Sequence, residues 1–334
     1  MKPLEALKNW SIPELADIDS SKLEKPTSGL LNKTYMIRGT SNQLYIFQCV
    51  HPAVSMDGAL NNYFHVTQFL RENNMVSQEL LLTKNGNLYI EDEAGWRWRL
   101  LKGVEGLYYQ STTDPVIAHE GGKLLGQFHT ILSQYPKKLE IGRLSFRYEA
   151  EVEKLKSLEK QLMEDEDDSI KEATQLILKA IPKLMLPKSL PQQIIHADPK
   201  ISNFLFSKNN TGICMIDLDT IQMHSPLYDI GDALRSWCGK EEDDPQNSFN
   251  LKMYDAFLKG YMSTSKGLLS TREQLLIPQA IKLIVLGLTT RFLNDYIEDS
   301  YFGFDETRFN SRKDHNKARV LGQLSLYRSF LKLT

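Results

Sequence analysis

Between two apolar runs, the stretch IIHADPKISNFLF places His196, Asp198, Lys200 and Asn203 within one short loop. A turn, SKNNTG, then leads into CMIDLDT, a second apolar run that ends in Asp217 and Asp219. Apolar strands on either side of a short turn form a hairpin, which brings Asn203 close to Asp217. An amide oxygen and a carboxylate at adjacent strand ends make a hard-oxygen site suited to Mg2+, which takes a few protein oxygens and completes its shell with phosphate oxygens. Asp198, on the same loop, is placed to accept a proton from an attacking hydroxyl. This is a layout for phosphoryl transfer. Single Asp or Asn residues are ordinary turn and cap formers, but four of them at these spacings between apolar strands favour function. His196 is expected to brace the loop, because the neighbouring aspartate is the better base.

The pattern H-x-D-x-x-x-x-N followed by a strand-end Asp resembles the catalytic loop and metal-binding segment of the protein-kinase-like fold. The IDLD form, with YDIGDALR soon after, resembles the aminoglycoside phosphotransferase and choline kinase-like superfamily. Four stretches are most similar to bacterial N-acetylhexosamine 1-kinases: GLLNKTYMI, HADPKISNFLF, IDLDTIQMHSPLYDIGDALR, and TTRFLNDYIEDSYF with the later HNKARVLGQLSL. The resemblance implies Asp198 as catalytic base, with Lys200 neutralising charge on the transferring group. It implies Asn203 and Asp217 as Mg2+ ligands, with Asp219 near the metal or the phosphates. The loop TSGLLNKTY, with Ser28, Gly29, Asn32 and Thr34, would lie over the phosphates of ATP. The kinase-like fold ordinarily carries a strand lysine paired with a helix glutamate; the resemblance puts Gln48 at the lysine position, as a neutral hydrogen-bonding residue expected to help hold the nucleotide, and the glutamate position near Asn61, so both charges are missing together. The acceptor implied is a sugar, bound by Arg291, Asn294, Asp295 and Tyr296, a mixed polar and aromatic wall of the kind that hydrogen-bonds hydroxyls. Choline or ethanolamine, an aminoglycoside, homoserine, or a nucleotide-binding pseudokinase without turnover stay open as alternatives. Trp96 and Trp98 alternate along a strand and are expected in the core rather than in a cage for a quaternary ammonium.

The elements that hold these residues fall into two kinds. NKTYMIRG and NQLYIFQCV form a hairpin, and ELLLTKNGNLYIEDEAGWRWRLL a second meander with a type I′ turn at Asn85-Gly86 and another turn at Gly95. Between them, apolar residues at 60, 63, 64, 66, 69 and 70 mark one face of a helix that Asp57 is placed to cap. After Gly103 amphipathic helices dominate, at about 115 to 134, 146 to 163, 168 to 182, 247 to 263, 271 to 295 and 314 to 332. Asp229 and Asp232 read as helix caps that brace the catalytic loop, and EDEDDS at 164 to 169 as a solvated turn. The expected architecture is α+β, a two-lobed protein-kinase-like fold. Residues 1–102 form a small antiparallel nucleotide-binding lobe, and 103–334 a larger, mainly helical lobe for catalysis and substrate binding.

Composition sets the outer bounds. The chain has 334 residues, enough for two lobes with a sizeable core. Its 40 Lys and Arg nearly balance its 42 Asp and Glu, which argues against a nucleic-acid or membrane-surface binder. Cys49, Cys214 and Cys238 have no C-x-x-C spacing, so neither a disulfide framework nor a zinc site is expected, and a reducing compartment is. The amino terminus lacks the apolar core of a secretory signal, and no run reaches the roughly 20 apolar residues of a bilayer span. A cytoplasmic monomer or homodimer acting on small molecules is the expectation.

Overall fold

The computed structural model describes residues 1–24, 32–50, 56–142 and 146–333. After a one-turn helix α1 (Pro3–Leu7), strands β1 (Lys33–Arg38) and β2 (Leu44–Val50) form the expected antiparallel hairpin. Helix α2 (Asp57–Glu72) follows, and β3 (Glu79–Leu81), β4 (Ile90–Glu91) and β5 (Arg97–Lys102) complete a sheet in the order β1-β2-β5-β3, with β4 also on β5. Alternation explains how it packs. Tyr35, Ile37, Tyr45, Phe47, Trp98 and Leu100 face the amino-terminal segment, where Ala6, Leu7, Trp10 and Leu15 cover them. Leu80 and Leu101 face the other way, onto the stripe Tyr63, Val66 and Leu70 of α2. Trp98 is thus core, stacked on Phe47 with ring centroids 5.1 Å apart.

Two local expectations need correction. Asp57 is the first residue of α2 and not its cap: Met56 holds the cap position without a side-chain bond, while Asp57 accepts from the Tyr89 hydroxyl at 2.7 Å and pairs with Arg97. The Asn85-Gly86 turn is present but is not type I′, which needs left-handed backbone at both residues. Only Gly86 has it, with φ 78°, and its N–H closes onto Thr83 O at 2.9 Å.

The larger region contains α3 (Pro115–Leu132), α4 (Tyr148–Met163), α5 (Asp168–Leu184), α6 (Pro226–Cys238), α7 (Leu251–Thr264), α8 (Thr271–Leu275), α9 (Ile277–Glu298) and α10 (Arg312–Leu331). Helix α6, expected only through Asp229 and Asp232 as its caps, is capped instead by Ser225, which accepts from Leu227 N, and both aspartates lie buried inside it. The expected helix over 271 to 295 divides at Leu276, because Pro278 lacks an N–H and is accommodated only in a first turn. Helix α9 is the apolar axis, packed by α4, α5, α6 and α10. Helices α3 and α7 cross at glycine contacts; a Cβ on Gly122 would meet Phe257 O at 2.0 Å.

Within this helical region lie two short ladders, β6 (Gln193–Ile195) with β9 (Gln222–His224), and β7 (Phe204–Phe206) with β8 (Gly212–Met215). The loop 196–203 joins β6 to β7, and the segment 216–221 joins β8 to β9. The two connections therefore face each other.

Candidate active site

Three hydrogen bonds close the facing segments together. Ile216 N donates to Asn203 O at 2.9 Å, the His196 ring Nε2 meets Ile216 O at 2.9 Å, and Thr220 Oγ1 donates to His196 O at 2.9 Å. His196 is fully buried against Phe128, so its ring braces backbone, as anticipated. Helix α6 supports the loop from below. Asp229 accepts from His196 N and Ala197 N at 2.7 Å each, Ser236 Oγ accepts from Ile201 N at 3.1 Å, and Trp237 Nε1 reaches Pro199 O at 3.4 Å. Ala197 has φ 65°, a left-handed conformation costing a non-glycine residue about 1–2 kcal/mol. The Asp229 carboxylate offsets that cost.

On this base the polar residues of the loop converge. Asp198 Oδ2 accepts from Lys200 Nζ at 2.7 Å and from Asn203 Nδ2 at 3.1 Å. Asn203 Nδ2 also donates to Asp198 O at 2.8 Å, which turns the amide oxygen away from Asp198. Burial acts to raise the Asp198 carboxyl, but the Lys200 ammonium outweighs it and holds the group below the usual aspartate range. Lys200 is itself raised by Asp198, with its side chain 40% exposed. The site therefore presents an ionised carboxylate beside a permanent cation.

Asp217 follows β8 in left-handed backbone, φ 64° and ψ 51°, and is exposed. Its carboxylate accepts no hydrogen bond from another described residue. Crowding by the surrounding protein and the neighbouring Asp219 charge push it above the usual aspartate range, the condition a divalent cation would relieve. Among the described residues no three His, Cys, Asp or Glu side chains cluster for a metal. The oxygens of Asn203 and Asp217 instead fit Mg2+ held by few protein ligands plus phosphate oxygens.

Other anticipated residues lie in different company. Both oxygens of Asp219, expected near metal or phosphate, accept from Arg99, at 2.5 and 2.6 Å. Gln48 accepts from Arg99 Nε at 2.9 Å and donates to Thr34 Oγ1 at 3.3 Å, while Asn61 bonds Glu140. Asn32 immediately precedes β1; Ser28 and Gly29 lie outside the described residues. The expected sugar wall is largely committed to the fold. Asn294 donates to Glu151 at 2.9 Å, the Tyr296 hydroxyl donates to Asp165 at 3.0 Å, and Asp295 accepts from the backbone N–H groups of Ser300, Tyr301 and Phe302 and from Asn316. All three are buried, with these polar groups satisfied by protein partners. Arg291 alone of the four is partly exposed, over the rings of Tyr301 and Phe302. Arg99 was not legible as a site residue; its only signal is a charged residue at an inward position of the strand WRWRLL.

A small antiparallel sheet and a larger helical region that carries the loop-and-hairpin site make up the protein-kinase-like fold. Residues 22–260 match the phosphotransferase enzyme family, and the chain belongs to it. It is 27% identical over 198 residues to a homoserine kinase of Caulobacter vibrioides, a match spanning 59% of this chain and 58% of that relative. Among solved structures it is similar to a microcompartment-associated aminopropanol kinase (TM-score 0.66, 16% identity, 99% and 97% of the two chains). It is similar also to an amicoumacin kinase in complex with AMP-PNP and Ca2+ (0.65, 17%, 95% and 93%) and a choline kinase of Cryptosporidium parvum (0.62, 14%, 99% and 96%). These likenesses show the fold.

Proposed function

We propose that the protein transfers the γ-phosphoryl group of ATP to a hydroxyl of a small molecule, with Asp198 as the base. The observation that carries this reading is the convergence of Asp198, Lys200, Asn203 and Asp217 on two facing connections braced by α6. The acceptor hydroxyl gives its proton to an Asp198 oxygen as its own oxygen bonds to the γ-phosphorus. The bond from that phosphorus to the β–γ bridging oxygen breaks, and ADP leaves with the electron pair. Lys200 offsets charge on the transferring group while holding Asp198 ionised. Asn203 and Asp217 would hold Mg2+, which supplies neutralisation of phosphate charge when bound.

For the acceptor, the anomeric hydroxyl of N-acetylglucosamine or N-acetylgalactosamine is the reading we favour. Its support is the four stretches similar to hexosamine 1-kinases, together with Arg291, the member of the expected wall still open to a ligand. The identity to a homoserine kinase favours homoserine as the second reading. A panel of N-acetylhexosamines, homoserine, choline and aminoglycosides with Mg-ATP, followed by ADP release, tests both. We expect turnover of an N-acetylhexosamine, with phosphorus NMR showing an anomeric phosphate coupled to the sugar C1 proton. Turnover of homoserine alone would transfer the assignment to the second reading, and no ADP release with any acceptor would count against the first proposal.

A further inference from the structure

The residues that replace the missing strand lysine and helix glutamate do not meet each other. Asn61 is turned to Glu140, whereas Gln48 lies in a row across three neighbouring strands. Thr34 pairs with Gln48 between β1 and β2, and Gln48 with Arg99 between β2 and β5. Hydrogen bonds run along this row, from Arg99 Nε to Gln48 and from Gln48 to Thr34. Using Nε in this way leaves both terminal nitrogens of Arg99 for Asp219, a fork-on-fork pair in which each oxygen has its own donor. The guanidinium also lies over the Tyr63 ring of α2, 5.0 Å from its centroid. Arg99 is 2% exposed, so the sheet, α2 and the segment after β8 meet on one buried cation.

Asp219 is two residues beyond Asp217, whose left-handed backbone is tolerated by Asp but still unfavourable. Such a conformation persists only where its surroundings over-determine it. Upstream, Ile216 is tied by its N–H and its carbonyl to Asn203 and His196. Downstream the ties are Thr220 to His196 and Asp219 to Arg99. Only the last of these reaches the amino-terminal sheet.

We infer that Arg99 is a positioning residue for phosphoryl transfer: by gripping Asp219 with both terminal nitrogens, it sets the Asp217 carboxylate relative to the amino-terminal sheet. It thereby couples the two halves of the molecule in place of a strand lysine and helix glutamate. This rests on the phosphotransferase reading above. Lysine is a point charge and cannot reproduce the fork, so charge alone is insufficient in this role.

The test measures ATP binding by calorimetry at a series of Mg2+ concentrations, without any acceptor, for the parent, Arg99→Lys, Arg99→Gln, Asp219→Asn and the Arg99→Gln/Asp219→Asn double variant. Thermal melting is followed in parallel. ATP affinity without metal should stay close to the parent's in every variant. The Mg2+-dependent gain should fall about 10- to 100-fold in each single variant, the size seen when a residue supporting a metal ligand is removed. The double variant should lose no more than the worse single one, because both act through one contact. Variants that melt earlier yet keep the parent's Mg2+ titration, or an Arg99→Lys that behaves as the parent, would overturn the inference. A parent that binds no Mg-ATP would instead strike the phosphotransferase reading, and this inference with it.

Discussion

Asp229 holds the backbone of His196 and Ala197 at once, its two oxygens accepting their N–H groups at 2.7 Å each. Fully buried, it also meets the His129 ring at 3.0 Å. Asp229→Ala would leave those donors unpaired and Ala197 unsupported, and should cost about 3–5 kcal/mol. Asp229→Asn keeps one acceptor oxygen and should fall between. Urea midpoints check this, and variants as stable as the parent would show that the loop is held by other means.

Asp198→Asn replaces the proposed base by an amide of nearly equal size. Turnover should fall about 10²- to 10⁴-fold, with ATP affinity nearly unchanged. A single-turnover assay beside a binding isotherm separates the two. Retained turnover would remove Asp198 from the role.

Asp217→Asn keeps shape and removes the charge that would hold a divalent cation. Half-saturating Mg2+ for turnover should rise, and kcat should fall with it. ATP binding measured in chelator should not change. Superimposable Mg2+ titrations would place the metal elsewhere.

Arg291 and Asp295 should separate by assay. Arg291 is partly exposed and pairs only with aromatic faces among the described residues, so Arg291→Ala should raise KM for the acceptor far more than for ATP. Asp295 is 3% exposed and accepts three backbone N–H groups, so Asp295→Asn should lower stability by about 1–3 kcal/mol. An Arg291→Ala enzyme with an unaltered acceptor KM would exclude this residue from the acceptor site.

Asp167 caps α5 through Ser169 N at 2.9 Å and pairs with Lys317 of α10. Lys317 and the Ser169 side chain lower its carboxyl to about 2. A folded value below the unfolded one adds stability above the unfolded range, near about 3.9, and that stability is lost as pH falls toward the folded value. Asp167→Ala should therefore cost about 1–2 kcal/mol at pH 7, and the difference from the parent should shrink as pH falls from 4 to 2. Denaturant melts at both ends of that range check the sign, and a gap that widens on acidification would refute it.

The arrangement of the polar loop 196–203 could be read from sequence because its contacts are local. Lys200 and Asn203 reach Asp198 across two and five residues, and the turn to β8 is short enough that strand pairing places Ile216 beside Asn203. Amphipathic helices such as α3 and α5 are legible by period, whereas in α6 the polar residues Asp229 and Asp232 read as caps although they lie buried inside the helix, where only packing assigns their partners.

Tertiary structure decided the rest, for a reason of chain length. Arg99 and Asp219 lie 120 residues apart, and nothing in WRWRLL or IDLDT states that a strand register and a helix packing will bring them within hydrogen-bond distance. The stretch RFLNDY shows the same division from the other side. Its residue types suit sugar hydroxyls, but α9 turns Asn294, Asp295 and Tyr296 inward, where burial requires their polar groups to find protein partners. Residue type and spacing determined which chemistry was possible; the packing of distant segments determined which side chains are left to perform it.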